Sequence, residues 1–110
     1  MEVAGTENNS KVIFVDKPPQ LGVKPCANLT MASAAQIFKE KTVGVVLTGM
    51  GSDGTLGAQA IKARGGMVIA EDRSSCVVYG MPKSVAEAGL VDKVAPLHLI
   101  AREMEKLINP

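Results

Sequence analysis

Six consecutive residues, Gly49-Met50-Gly51-Ser52-Asp53-Gly54, set a carboxylate among three glycines at the spacing G-x-G-x-x-G, and an acidic pair, Glu71-Asp72, follows further on. In a dinucleotide site such glycines let the main chain approach a pyrophosphate. The phosphates then rest on the free N–H groups opening the next helix, and the acidic residue takes a ribose hydroxyl. Asp53 opposes that chemistry, because it places a carboxylate where the phosphate would sit. Two like charges about 5 Å apart at an effective dielectric near 20 repel by roughly 3 kcal/mol. Dinucleotide binding is therefore the minor reading of the turn.

Asp53 has two other readings, and both stay open on the residues alone. It can cap the helix that follows, accepting N–H bonds and complementing the dipole for about 1 kcal/mol. It can also be the acid that orients a histidine in a Ser-His-Asp set, a role suited to a loop after a buried strand. Different oxygens of one carboxylate can serve both ends.

The elements that must hold this turn are legible around it. Val43–Thr48 is apolar without alternation, as in a parallel strand covered on both faces. The spacing predicts a helix over about 55–64, with Leu56, Ala60 and Ala63 on one side and Gly65-Gly66 as its stop. Met67–Ala70 reads as the next buried strand, and 73–81 as a loop. A short helix follows, opened by Pro82 and ended by Gly89, then a minor strand over 91–94. The last helix spans about 97–107, with Leu97, Ile100, Ala101, Met104 and Leu107 inward.

Upstream, Met31, Ala34, Ala35 and Phe38 form an i, i+3, i+4, i+7 stripe on a helix over roughly 28–41. Val12–Val15 reads as a strand and 16–25 as a proline-rich connector. Residues 1–11 are polar and read as a disordered tail, leaving 12–110 as the folded part. The alternation of strands and helices predicts an α/β fold, a parallel doubly wound (Rossmann-like) three-layer sheet. Ligands in such sheets sit beyond the carboxyl ends of the strands. Both the 49–54 turn and the 72–81 loop lie at that edge.

Composition narrows the function classes. Hydrophobic residues make up 46% of the 110-residue chain, but only two are Phe and one is Tyr, so the core is aliphatic. Twelve basic residues against eleven acidic ones give no electrostatic pull toward nucleic acid. No stretch has the length of a membrane-spanning helix, so direct membrane insertion is not expected. Cys26 and Cys76 form no CxxC pair, which argues against a redox motif or metal site and for a reducing, cytoplasmic setting. No cofactor is expected.

From Val43 to about Ala101 the chain resembles the C-terminal part of the chemotaxis protein-glutamate methylesterase (CheB-type) family. Two linked motifs carry the likeness, TGMGSDG at 48–54 and SCVVYGMP at 75–82. The resemblance implies a Ser-His-Asp hydrolase that removes methyl groups from glutamates of methyl-accepting chemotaxis receptors and deamidates receptor glutamines. It implies Asp53 as the triad acid and the Met50 backbone N–H as an oxyanion donor. Gly51, Tyr79, Gly80 and Met81, on the two loops, are candidates for the substrate cleft, with packing an equal alternative for Tyr79. Backbone donors suit that task, since they stabilise a tetrahedral oxyanion whatever the side chain.

The family's serine turn and Q-H segment have no counterpart in these residues. The chain is therefore expected to be the C-terminal half of the family domain, inactive alone and completed by an N-terminal catalytic half, with a phosphorylatable receiver domain as a further partner. A non-catalytic interaction module is the alternative. His98, the sole histidine, is expected to be solvated. Cys76 reads as a buried structural cysteine, and Glu71-Asp72 as the end of a strand and the start of a turn. Where the family often reads P-S-V-D, this chain has Pro25-Cys26-Ala27-Asn28.

Overall fold

The computed structural model describes residues 1–13 and 27–109. The expected connector 16–25, the residues Phe14 and Val15, and Cys26 lie outside them.

Three parallel strands form the centre: β3 (Val43–Val46), β4 (Met67–Glu71) and β5 (Lys93–Ala95), in the order β3-β4-β5. Their short apolar runs, rich in Val and Ile, suit a sheet buried on both faces. Alternate side chains divide between two cores. Val46, Val68 and Ala70 join Ala35, Ala58, Ile61 and Val85 on one face. Ile69 joins Ala95 and Ile100 on the other, flanked by Val43, Val45, Leu99, Met104 and Leu107. The first face is covered by helices α1 (Ala27–Phe38), α2 (Thr55–Ala63) and α3 (Gly80–Glu87), the second by α4 (Leu97–Ile108). The expected α/β architecture, a parallel sheet between helical layers, is therefore present.

Several details depart from the sequence reading. Residues 2–13, expected within a disordered tail and a later strand, form an antiparallel hairpin of β1 (Glu2–Thr6) and β2 (Asn9–Ile13). Polar residues are tolerated there because the strands satisfy each other and dock on α1. The Val3 N–H donates to Ser33 Oγ at 2.7 Å, Thr30 Oγ1 donates to the Met1 carbonyl at 2.8 Å, and Lys41 pairs with Glu7.

Helix α1 stops at Phe38, followed by a 3₁₀ turn over Lys39–Lys41 that Lys39 enters at positive φ. In α2 the inward residues are Gly57, Ala58 and Ile61, while Leu56 and Ala63 are exposed. Small residues occupy that face because α1 crosses close against it. In α4 Leu99 turns inward, and Leu97 and Ala101 stay exposed.

The end of α2 follows the sequence. The Gly65 N–H donates to the Lys62 carbonyl (3.1 Å) and the Gly66 N–H to the Ile61 carbonyl (2.9 Å), a Schellman closure. Below it, the Asp92 carboxylate accepts from Lys62 Nζ (2.7 and 2.9 Å) and from the Val68 N–H (2.8 Å). That staple joins α2 to the sheet at the end remote from the glycine turn.

Candidate active site

Residues 47–54 leave the carboxyl end of β3, and residues 72–79 leave that of β4. Backbone bonds lock the two loops together. Thr48 Oγ1 accepts from the Val78 N–H (2.8 Å) and donates to the Val78 carbonyl (3.0 Å). The Gly49 N–H donates to the same carbonyl at 3.0 Å, and Gly49 bridges Tyr79 in parallel fashion. The Gly49 carbonyl in turn accepts the N–H groups of Gly80 (3.0 Å) and Met81 (2.9 Å), the first two residues of α3.

Behind this junction lies Glu71, 1% exposed at the end of β4. One of its oxygens accepts the Thr48 N–H at 2.8 Å and the other accepts the Ser75 hydroxyl at 2.8 Å. Ser75 Oγ also accepts the Leu97 N–H at 2.9 Å, so the network reaches the start of α4. A buried carboxylate is tolerable only with such partners.

The turn presents Met50 almost wholly to solvent, at 82% exposure. Its N–H donates to no acceptor among the described residues. Gly51 (φ 87°) and Gly54 (φ 99°) take the left-handed conformation that folds the chain back into α2.

Asp53 does not cap the helix that follows it; the N-cap of α2 is Gly54, which has no side chain to cap with. The carboxylate turns instead to α1. Oδ2 accepts the Ala27 N–H at 2.9 Å and Oδ1 the Asn28 N–H at 3.3 Å. These donors open α1, so its positive dipole end faces the acid. The cap of α2 comes from Asn28, whose Oδ1 accepts the N–H groups of Gly54 (2.9 Å) and Gly57 (2.8 Å). Asn28 is 3% exposed, and its Nδ2 has no partner among the described residues. A phosphate at α2 would need the N–H groups that Asn28 already holds, so a different residue from the expected one closes that site.

The structure thus unites Met50, Gly51, Tyr79, Gly80 and Met81 in one double-loop junction and anchors Asp53 at its α1 side. Tyr79 is half-buried at the N-cap of α3. Met81 packs its side chain against the core and gives the junction its N–H. Asn28 was singled out in the sequence only as a departure from a family motif, and Glu71 as part of an acidic pair ending a strand, with ribose binding as the minor reading. An asparagine opening a predicted helix was the available signal for the first; no local pattern marked the second as a buried link between the loops.

Other polar residues singled out in the sequence lie outside this junction or serve its loops. The Asp72 carboxyl is held below its ordinary range by the Ser74 hydroxyl (2.5 Å) and N–H (3.2 Å), as it caps a 3₁₀ turn over Arg73–Ser75. The Cys76 thiol is half-buried and donates to the Glu71 carbonyl at 3.8 Å; burial, then the charges of Glu71 and Asp72, raise its pKa. Ser33 Oγ is bonded to Val3 and Thr30. His98 is exposed on α4, the layer on the opposite face from α1 and α2. Among the described residues no three His, Cys, Asp or Glu side chains cluster to hold a metal, and no helix is long and apolar enough to cross a membrane.

Comparison with known proteins places this geometry. The family model described as CheB methylesterase matches residues 1–104, the hairpin included. A protein-glutamate methylesterase/protein-glutamine glutaminase of Thermotoga maritima is 47% identical over 103 residues, covering 93% of this chain and 30% of the relative. One from Pyrococcus horikoshii is 46% identical over 99 residues, covering 89% and 27%. The crystal structure of the Thermotoga maritima CheB methylesterase catalytic domain superposes with a TM-score of 0.89 at 44% identity, over 97% of this chain and 55% of that one. The chain therefore spans about 30% of the length of these curated relatives and about half of the solved domain.

Proposed function

Since the chain belongs to the CheB methylesterase family, we propose that it carries the acid and one oxyanion donor of a protein-glutamate methylesterase and glutamine deamidase. The substrates are methylated glutamates and glutamines of chemoreceptors, reached from the cytoplasm. The serine and histidine come from residues outside this chain, in an N-terminal catalytic half, and a receiver domain supplies phosphorylation control. The observation behind the reading is the pair of groups the turn presents: Asp53, held by the first N–H groups of α1, and the Met50 N–H, which has no acceptor among the described residues.

The reaction follows from those groups. The serine Oγ bonds to the ester carbonyl carbon while its proton passes to the histidine, which Asp53 orients and whose positive charge it balances. Each Asp53 oxygen accepts one backbone N–H and retains lone-pair capacity for an imidazole N–H. The carbonyl oxygen becomes an oxyanion facing the Met50 N–H. Collapse breaks the bond to the methoxy oxygen, which takes the histidine's proton and leaves as methanol. Water then attacks the acyl-enzyme with the same base, freeing the glutamate carboxylate and restoring the serine. For a glutamine substrate the first leaving group is ammonia.

Among the chain's own groups, the hydroxyls of Ser33, Ser74 and Ser75 are committed to structural bonds, and His98, the sole histidine, lies on the layer remote from Asp53. That favours pairing with a separate half as the second reading. A chimera in which residues 1–104 replace the matching segment of the Thermotoga maritima relative tests the first. Methanol release from methylated receptors is expected. A folded chimera without release overturns the proposal.

A further inference from the structure

The carbonyl of Gly49 and the N–H of Met50 belong to one peptide unit. That carbonyl accepts two hydrogen bonds from the start of α3, at 3.0 Å from Gly80 and 2.9 Å from Met81. A peptide whose carbonyl is doubly bonded in this way loses electron density at its nitrogen, and its N–H becomes a stronger donor. The positive end of α3 adds to the same pull. We propose that the N-terminus of α3 acts through the Gly49–Met50 peptide, polarising and aiming the Met50 N–H, with Gly80 as the positioning residue that permits it. The inference rests on the reading of Met50 as oxyanion donor for its catalytic meaning, though not for its physics.

Gly80 is the residue that lets α3 come this close. A Cβ there would stand 2.8 Å from the Gly49 oxygen, 2.9 Å from the Gly51 nitrogen and 3.2 Å from Met50 Cα. Each of these atoms is backbone of the turn itself, so relief requires the turn and the helix to separate. The Gly49 N–H is meanwhile tied to Val78 at 3.0 Å, and the Thr48 N–H to Glu71 at 2.8 Å. The peptide is thus held on the donor side of Gly49 and polarised on its acceptor side. Met50, whose N–H is the next donor, is an exposed residue.

Hydroxide-catalysed hydrogen exchange reads the acidity of an amide, and Met50 is suited to it because no bond from its N–H to another described residue protects it. Cys76 provides a ligation junction: a synthetic 76–110 segment carrying an ester in place of the Met81 amide, joined to 1–75, removes one donor and keeps every side chain. By NMR the Met50 amide of the full chain is expected to exchange about tenfold more slowly in the ester variant, with Ser52 unchanged. Gly80→Ala is expected to slow Met50 in the same direction. Loosening of the loop would not imitate this, because opening speeds exchange, and the Met50 N–H has no bond to open among the described residues. An unchanged or faster Met50 rate in the folded ester variant overturns the relay. In the active chimera, Gly80→Ala is expected to lower kcat about tenfold with KM unchanged, a loss smaller than deletion of a whole oxyanion donor. Slowed exchange with undiminished kcat leaves the relay standing and overturns the role of Met50 instead.

Discussion

Asn28 and Asp53 cap each other's helices. The Asp53 carboxylate takes the first N–H groups of α1, at Ala27 and Asn28, and the Asn28 amide oxygen takes those at the start of α2, at Gly54 and Gly57. The exchange clamps the two helix N-termini together at the edge of the sheet where the proposed chemistry occurs. It also fixes the acid in a way a self-cap could not. A carboxylate folded onto its own helix would point along α2, whereas this one is drawn across to α1.

Asn28→Ala removes the acceptor of two N–H groups in a buried setting. Each unsatisfied donor costs about 1–3 kcal/mol, so a loss of about 2–3 kcal/mol in urea unfolding is expected. Asn28→Asp keeps an acceptor facing a positive helix end and discards the amide nitrogen that has no partner among the described residues. Asparagine and aspartate rank alike as caps, but the new carboxylate also repels that of Asp53, so a loss between zero and that of Asn28→Ala is expected at neutral pH. If Asp proves as damaging as Ala, the capping account of Asn28 fails.

Asp53→Asn separates structure from chemistry. The asparagine oxygen can still accept from one α1 N–H, while its NH₂ faces the other, so a stability loss of about 1 kcal/mol is expected. In the active chimera the same change replaces an acceptor for the imidazole N–H with a donor on one side. Methanol release is expected to fall about 10⁴-fold, as for other triad acids made neutral. Thermal melting and methanol assays on one preparation check both halves. Near-parental turnover in a folded variant would remove Asp53 from the triad.

The layer architecture was readable because Val43–Val46 and Met67–Ala70 carry no polar residue on either face, as a covered parallel sheet requires. The Schellman stop at Gly65-Gly66 was equally local. The hairpin over 2–13 was not, since its strands are polar and gain their order from pairing and from α1. The inner face of α2 was misjudged because a stripe drawn from Leu56 through Ala60 and Ala63 passes over Gly57, Ala58 and Ile61, and a close helix crossing selects the small residues among them. The site divides in the same way. The motifs named Asp53 and Met50 correctly as loop residues beyond β3, but the direction of the carboxylate depends on Ala27 and Asn28, which are 26 and 25 residues away in the chain. Short-range capping rules cannot anticipate a partner supplied by another helix.

Glu71 joins three backbone segments from a buried position, and its truncation is expected to be among the most damaging changes near the site. Glu71→Ala leaves the Thr48 N–H without its acceptor and opens a cavity beside β4, for an expected loss of about 3 kcal/mol. Glu71→Gln keeps an oxygen for Thr48, and its NH₂ can donate to Ser75 Oγ, so a loss of about 1 kcal/mol is expected. Both are measured by urea unfolding. Equal losses for Ala and Gln would mean that the negative charge, rather than the acceptor at Thr48, is what matters there.

Asp72 makes the acid side of the stability profile testable. Its folded-state pKa lies below the ordinary carboxylate value because the Ser74 hydroxyl and N–H both donate to the ionised form. A depressed carboxylate favours folding fully at pH values above its unfolded pKa, about 3.9, and loses that contribution as pH falls through the folded pKa. Carbon-detected NMR of the Asp72 carboxyl is expected to give a midpoint below that of an unfolded aspartate. Ser74→Ala removes the strongest donor, so the midpoint should rise toward the ordinary value. The pH dependence of stability between the two pKa values should flatten with it. A midpoint unmoved by Ser74→Ala would transfer the cause of the depression to some other group near the 3₁₀ turn.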